Sequence, residues 1–296
     1  MKRQIILVTI FGSSFVEGSF QFELTFTAQA EQQYTAEERQ SFFDGADFWS
    51  NIITGYQDGV SRTLALQIDS FSAPFSGGAL TLGFAGPTNL TFTNPVTGAA
   101  TSDGRFLVAT AGIANFNTHP DAGPLNPLTV RHEIGHILGI GTLWEDNEVY
   151  NDGVAGNSTR TLTSGVLGQY VGASGLEAYQ REFDPSATFI PVELDGEEET
   201  ANNHWNEVLD NFVLENMAGF DGDPGDESEA LTVLFGPHAG ESLDDELLTG
   251  VLSGSAFLSN TTIMSLQDIG FTVAIPEPSS LMLLGVGAAF GLRRRR

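Results

Sequence analysis

Between Asn126 and Gly141 the chain reads Asn-Pro-Leu-Thr-Val-Arg-His-Glu-Ile-Gly-His-Ile-Leu-Gly-Ile-Gly, and the pentad His132-Glu133-Ile134-Gly135-His136 within it constrains the fold more than any other stretch. Imidazoles at positions i and i+4 meet on one face when the segment is a helix, where they lie a turn apart and can offer nitrogens to one metal ion. The flanks predict that helix. Asn126 can cap it, Pro127 suits its first position, and Gly139 and Gly141 can end it. Val130, Ile134, Ile137 and Leu138 supply its buried side. Imidazole is a good ligand for zinc, and catalytic zinc sites use three protein ligands, leaving one position for water. Glu133 would stand beside the metal, where it can take a proton from acidified water. The competing reading is a core helix that carries two of the chain's five His by chance; the capped helical context argues for the metal.

The pattern extends to Gly139, three residues past His136, as in H-E-x-x-H-x-x-G-x-x-H, but Thr142 occupies the position of the third His. Either the third ligand comes from further along the chain or the site is of another class. His132 to Trp144 (HEIGHILGIGTLW), His204-Trp205 with Glu207, and Glu215-Asn216-Met217-Ala218-Gly219 together resemble the leishmanolysin-like zinc metallopeptidases of the metzincin group, in which an insertion separates that glycine from the third His. The resemblance implies that His204 is the third zinc ligand and Met217 the methionine of the turn beneath the metal. It implies an α+β, zincin-like fold, with a twisted sheet, a backing helix and the H-E-x-x-H helix in the N-terminal lobe. The C-terminal lobe is then mostly irregular with short helices, and the substrate is a protein or peptide. Eukaryotic members are Cys-rich and held latent by a propeptide Cys. This chain has no Cys, so it cannot use that switch, and thiolate chemistry and Cys-ligated zinc are excluded.

Taken in order, Met1-Lys2-Arg3, the apolar run Ile5 to Phe11 and the small residues after it predict a signal peptide over 1–19. Phe20, Phe22, Leu24 and Phe26 alternate as in a half-buried strand. Thr35 and Glu38 form a capping-box pattern, followed by Phe42, Ala46, Trp49 and Ile53 at helical spacing. The runs Leu64 to Ile68, Leu80 to Phe84, Leu90 to Phe92 and Phe106 to Ala109 predict strands of a sheet. One helix, a sheet and the H-E-x-x-H helix follow the order of a zincin N-terminal lobe, so the resemblance implies an N-terminal catalytic lobe over 20–141. The resemblance implies that residues 142–275 are the insertion and C-terminal lobe; Leu176, Tyr179 and Phe183 predict a helix over Gly175 to Phe183, and Thr262 to Phe271 resembles the closing helix and turn of that family. Pro276-Glu277-Pro278, the apolar segment Leu281 to Leu292 and Arg293 to Arg296 resemble a PEP-CTERM sorting tail over 276–296. That resemblance implies an exosortase-type processing enzyme and a transient hold in the inner membrane. The destination is the cell envelope, outer surface or medium of a Gram-negative bacterium.

The formal net charge is -26. Outside the two termini the basic residues are Arg39, Arg62, Arg105, Arg131, Arg160 and Arg181, with none between Glu182 and Leu292. Such a surface repels nucleic acid and anionic lipid, which excludes binding through a basic patch. The acidic runs Glu193 to Glu199 and Asp221 to Glu227 could hold calcium, although their spacing departs from the EF-hand loop. The implied function is an exported zinc endopeptidase with Glu133 as general base. One alternative is a cell-surface or matrix protein whose zinc only stabilises the fold; a closed structural site would need no Glu133. Another is a gluzincin that uses a downstream Glu, such as Glu177, as the third ligand.

Overall fold

The computed structural model describes residues 19–75, 80–151, 160, 165–194, 200–206, 232–250 and 255–274. Residues 1–18 of the expected signal peptide, Met217, the acidic residues 195–199 and 221–227 and the sorting tail 276–296 therefore lie outside the described residues. The alternating segment forms β1 (Phe20–Phe26), which leads through a short helix, α1 (Ala28–Gln33), into α2 (Ala36–Ser50). The Thr35 hydroxyl accepts from Glu38 N at 3.2 Å and the Glu38 carboxylate accepts from Thr35 N at 2.8 Å, a cap worth about 1 kcal/mol. Phe42, Ala46 and Trp49 are buried. Ile53, at the same spacing, falls beyond the helix: α2 ends at Ser50 and Ile53 opens the strand β2 (Ile53–Tyr56).

The chain continues through β3 (Arg62–Phe71), β4 (Gly83–Phe92), β5 (Leu107–Asn117) and α3 (Pro127–Leu138). In the sheet order β1-β3-β5-β4 the first three strands are parallel, while β4 runs antiparallel along one edge. The runs around Leu80 to Phe84 and Leu90 to Phe92, expected as two strands, contribute to a single β4 with an irregular register at Pro87. An edge strand accommodates that proline because only one side is paired. Leu64, Leu66 and Ile68 bury one face of β3, while Ala65 and Gln67 stay exposed on the other. Both α2 and α3 cover the buried face. Phe42 of α2 meets Phe26 at 5.7 Å and Phe116 at 5.1 Å. A Cβ at Gly112 would approach Ile137 to 2.4 Å, and one at Gly45 would approach Val130 to 2.8 Å. These two glycines set how closely α3 sits on β5 and α2, so the pentad helix is gripped from both sides.

Beyond α3 come β6 (Gln169–Tyr170), α4 (Ala173–Glu182), β7 (Ile190–Pro191), α5 (Asn260–Asp268) and β8 (Phe271–Val273). Strands β6 and β7 pair with each other, and β8 pairs antiparallel with β2. Phe271 thereby packs against Phe20 and Tyr56 at 5.8 and 5.0 Å. Helices α4 and α5 cap one another. The Glu182 carboxylate accepts from Asn260 N and Thr261 N at 2.9 and 2.8 Å, and Asp268 accepts from Ser174 N and Gly175 N at 2.9 and 2.8 Å. Each carboxylate ends its own helix but sits at the positive end of its neighbour. The result is a mixed α+β body with a twisted mixed sheet and few helices.

Candidate metal centre

Asn126 caps α3 by accepting from Leu128 N at 3.0 Å, Pro127 opens the helix, and Gly139 ends it in the left-handed region at φ 112°. Val130, Ile134, Ile137 and Leu138 are fully buried, which fixes the roll of the helix and turns His132 and His136 toward the segment that brings in His204. Two devices anchor that segment. Gly141, at φ 76°, would place a Cβ only 2.2 Å from Asn203 O and 2.7 Å from Asn203 Cα, so the main chain before His204 docks on a position open only to glycine. Trp205 stacks on Trp144 at 4.5 Å and meets Tyr170 edge-on at 5.2 Å. Its indole N–H donates to Thr262 Oγ1 at 2.8 Å, and its main-chain N–H donates to Leu248 O at 3.1 Å. Thr142, where the contiguous pattern would have a His, donates its hydroxyl to His136 O at 2.6 Å.

These supports bring the Nε2 atoms of His132, His136 and His204 into a triangle with edges of 3.0, 3.0 and 3.1 Å. Each ring is oriented from behind. Nδ1 of His132 lies 2.7 Å from Leu247 O, Nδ1 of His136 lies 3.0 Å from Ile140 O, and Nδ1 of His204 lies 2.9 Å from Thr200 O. A carbonyl only accepts, so each Nδ1 carries the hydrogen and donates it, which leaves a lone pair on every Nε2. Burial lowers the pKa of all three rings: that of His132 falls well below the ordinary value, helped by its two neighbours, and that of His204 falls to about 3. Three neutral imidazoles therefore point lone pairs at one another with no proton between them. A tetrahedral zinc about 2.0–2.1 Å from each nitrogen would space them about 3.3 Å apart, within a few tenths of the observed edges. The cluster can hold a metal ion, and it is the only such group of three or more ligand-type side chains among the described residues.

Glu133 is buried at 4% exposure and is not a member of that group. Its side chain runs against the start of the edge strand, where a Cβ on Gly83 would come within 2.8 Å of Oε1. The other candidates lie elsewhere. Glu177 is exposed, pairs with Arg181 and is not a member of the His cluster, so it is not the downstream Glu that a gluzincin site would use. His238 stacks on Phe257 at 4.7 Å with Nδ1 3.1 Å from Glu241 Oε2. His119 Nδ1 accepts from Asp121 N at 3.2 Å in a turn. Glu193 is buried and joined to the His204 segment by its main chain, its N–H donating to His204 O at 3.0 Å. Sequence reasoning missed the three carbonyls that orient the rings. Any residue carries a C=O, so no residue type marks them.

Residues 274–296 match the PEP-CTERM protein-sorting motif. No curated protein matches the chain. The motif is one that an exosortase recognises, and it marks the chain as exported and sorted to the envelope of a Gram-negative bacterium. Expressed with an exosortase, the mature protein is expected to lack the apolar segment and Arg293 to Arg296, which an intact-mass measurement checks. Recovery of the full-length chain from the envelope would indicate an uncleaved anchor instead.

Proposed function

We propose that the chain is an exported zinc endopeptidase of the leishmanolysin-like metzincin type, with His132, His136 and His204 as ligands and Glu133 as general base. The observation that supports it best is the convergence of three Nε2 lone pairs, with Glu133, next to His132 in the chain, buried and outside the converging set. Three imidazoles make an open donor set of the catalytic kind, whereas structural zinc sites fill all four positions. Zinc, when bound, supplies Lewis acidity that acidifies water and polarises a carbonyl. Glu133 takes the proton of the attacking water and passes it to the leaving amine. The carbonyls of Leu247, Ile140 and Thr200 keep the ligand nitrogens free of protons.

A polypeptide substrate is favoured by the neighbour of Glu133. Strand β4 is an edge strand, and an extended peptide can add to a sheet edge through main-chain hydrogen bonds. A chain bound along β4 near Gly83 passes directly by Glu133. In the resemblance, Met217 belongs to the turn beneath the metal. Incubation of the mature protein with a peptide library is expected to give cleavage that a chelator abolishes and added zinc restores. No cleavage by the zinc-loaded protein would leave the non-catalytic, zinc-stabilised alternative.

A further inference from the structure

Two buried carboxylates flank the start of α5, and neither takes part in the proposed chemistry. Glu182 receives four donors: Asn260 N at 2.9 Å, Asn260 Nδ2 at 2.6 Å, Thr261 N at 2.8 Å and Thr261 Oγ1 at 2.9 Å. Glu246 also receives four, from Leu248 N at 2.6 Å, Ser259 N at 3.0 Å, Ser259 Oγ at 2.9 Å and Thr262 Oγ1 at 2.7 Å. The difference lies in what each holds. The bonds of Glu182 join α4 to α5. Those of Glu246 close the turn 246–249 onto α5, and this turn carries the Leu247 carbonyl that orients His132 and the Leu248 carbonyl that receives the N–H of Trp205, next to His204. Thr262 Oγ1 also accepts the Trp205 indole N–H while donating to Glu246.

We propose that Glu246 is a positioning residue of the metal centre: one buried carboxylate fixes the supports of two of the three imidazoles, one on α3 and one on the distant loop. The inference rests on the metal-site reading above and adds a residue remote from the ion. Its chemistry requires an acceptor on both oxygens. Leu248 N occupies Oε2 and three donors occupy Oε1, so an amide in its place points an N–H at a donor whichever way it is turned. The turn must then shift, and the Leu247 and Leu248 carbonyls shift with it. Second partners of metal-bound His typically carry about 10- to 100-fold in metal affinity. Acting one bond further out, Glu246→Gln should cost on the order of tenfold.

Glu182→Gln is the matched control, since it removes the same kind of buried, four-donor carboxylate from the same helix terminus without touching the 246–249 turn. Both variants, in the otherwise intact chain, are expected to melt at lower temperature. Zinc affinity, measured by chelator competition below the melting temperature of the apo forms, should fall for Glu246→Gln and stay within about twofold of the parent for Glu182→Gln. The visible spectrum of the cobalt-substituted protein should change for Glu246→Gln alone. Thr262→Val, which removes the hydroxyl shared by Trp205 and Glu246 at nearly constant volume, should give a smaller loss in the same direction, and it decides the matter if Glu246→Gln does not fold. Equal zinc affinity in the Glu246, Thr262 and Glu182 variants, with unaltered cobalt spectra, would overturn the positioning role. A failure of the metal reading itself shows in a different protein: the parent would take up no zinc, or would keep it after loss of His204.

Discussion

Glu133→Gln is expected to purify with its zinc and to hydrolyse peptides more slowly by at least about 10²–10⁴-fold, the share that a positioned general base commonly contributes. Gln has nearly the shape of Glu, and it fits the slot against Gly83, where even a Cβ would collide with the side chain. What it lacks is the ability to take a proton from water. The three imidazoles converge without Glu133, so metal content should be untouched while turnover collapses. Both quantities are measured on one preparation, zinc by elemental analysis and hydrolysis by initial rates on a cleaved peptide. Near-parental turnover would remove Glu133 from the mechanism. Loss of zinc together with activity would make it a ligand rather than a base.

The fold was legible where short-range chemistry governs it. The Asn126 and Thr35 caps, the glycine end of α3 and the alternation of β1 each depend on residues within a few positions, and all of them occur in the structure. Reading failed where partners decide. Ile53 continues the helical spacing of Phe42 and Trp49, yet β8, more than 200 residues on, pairs with it and draws it into β2. The apolar runs on either side of Pro87 looked like two strands because proline usually ends one, but at a sheet edge β4 continues through it. The mutual capping of α4 and α5 by Glu182 and Asp268 has no local signature, since each carboxylate ends a helix that its charge disfavours and gains only from the neighbouring one.

The candidate site divides in the same way. His132, Glu133 and His136 can be read from helical geometry, whereas His204 required a family resemblance because 68 residues of unrelated spacing separate it from His136. Part of its docking was nevertheless written in the sequence. Gly141 reads as a helix end, but its further role, leaving space for Asn203, needs the tertiary contact. Trp144 and Trp205 belong to the two stretches that carry the ligands, and their stacking at 4.5 Å gives the physical reason those stretches meet. Glu246 and the Leu247 carbonyl have no signature in the sequence. The Leu247 carbonyl is a group that any residue carries, and the Glu246 carboxylate gains its role only from donors that the fold brings to it, Leu248 N and the Ser259 and Thr262 groups at the start of α5.

The second large effect is expected at His204. In His204→Ala the Nε2 of His132 and His136 remain 3.0 Å apart on α3, and two imidazoles on one side of an ion cannot enclose it. If the roughly 10–16 kcal/mol of a four-ligand zinc site is shared among its ligands, each carries about 3–4 kcal/mol, or roughly two to three decades in affinity. The variant should therefore purify with little zinc and no measurable hydrolysis. His238→Ala is the control. His238 lies against Phe257 and Glu241, outside the group whose ligand atoms fall within 4.8 Å of one another, so its loss should leave zinc content and turnover at parental levels. A melting curve of the zinc-free proteins separates ligand loss from misfolding. Apo parent and apo His204→Ala should unfold at similar temperatures, because the ring's main-chain partner, Thr200 O, lies on the same loop and no second element depends on that bond. Zinc should then raise the melting temperature of the parent and of His238→Ala but not of His204→Ala, since only a ligand that binds the folded state stabilises it. The reverse pattern, with zinc lost from the His238 variant and kept in the His204 variant, would sink the three-His centre, and with it the resemblance that led from Thr142 to His204.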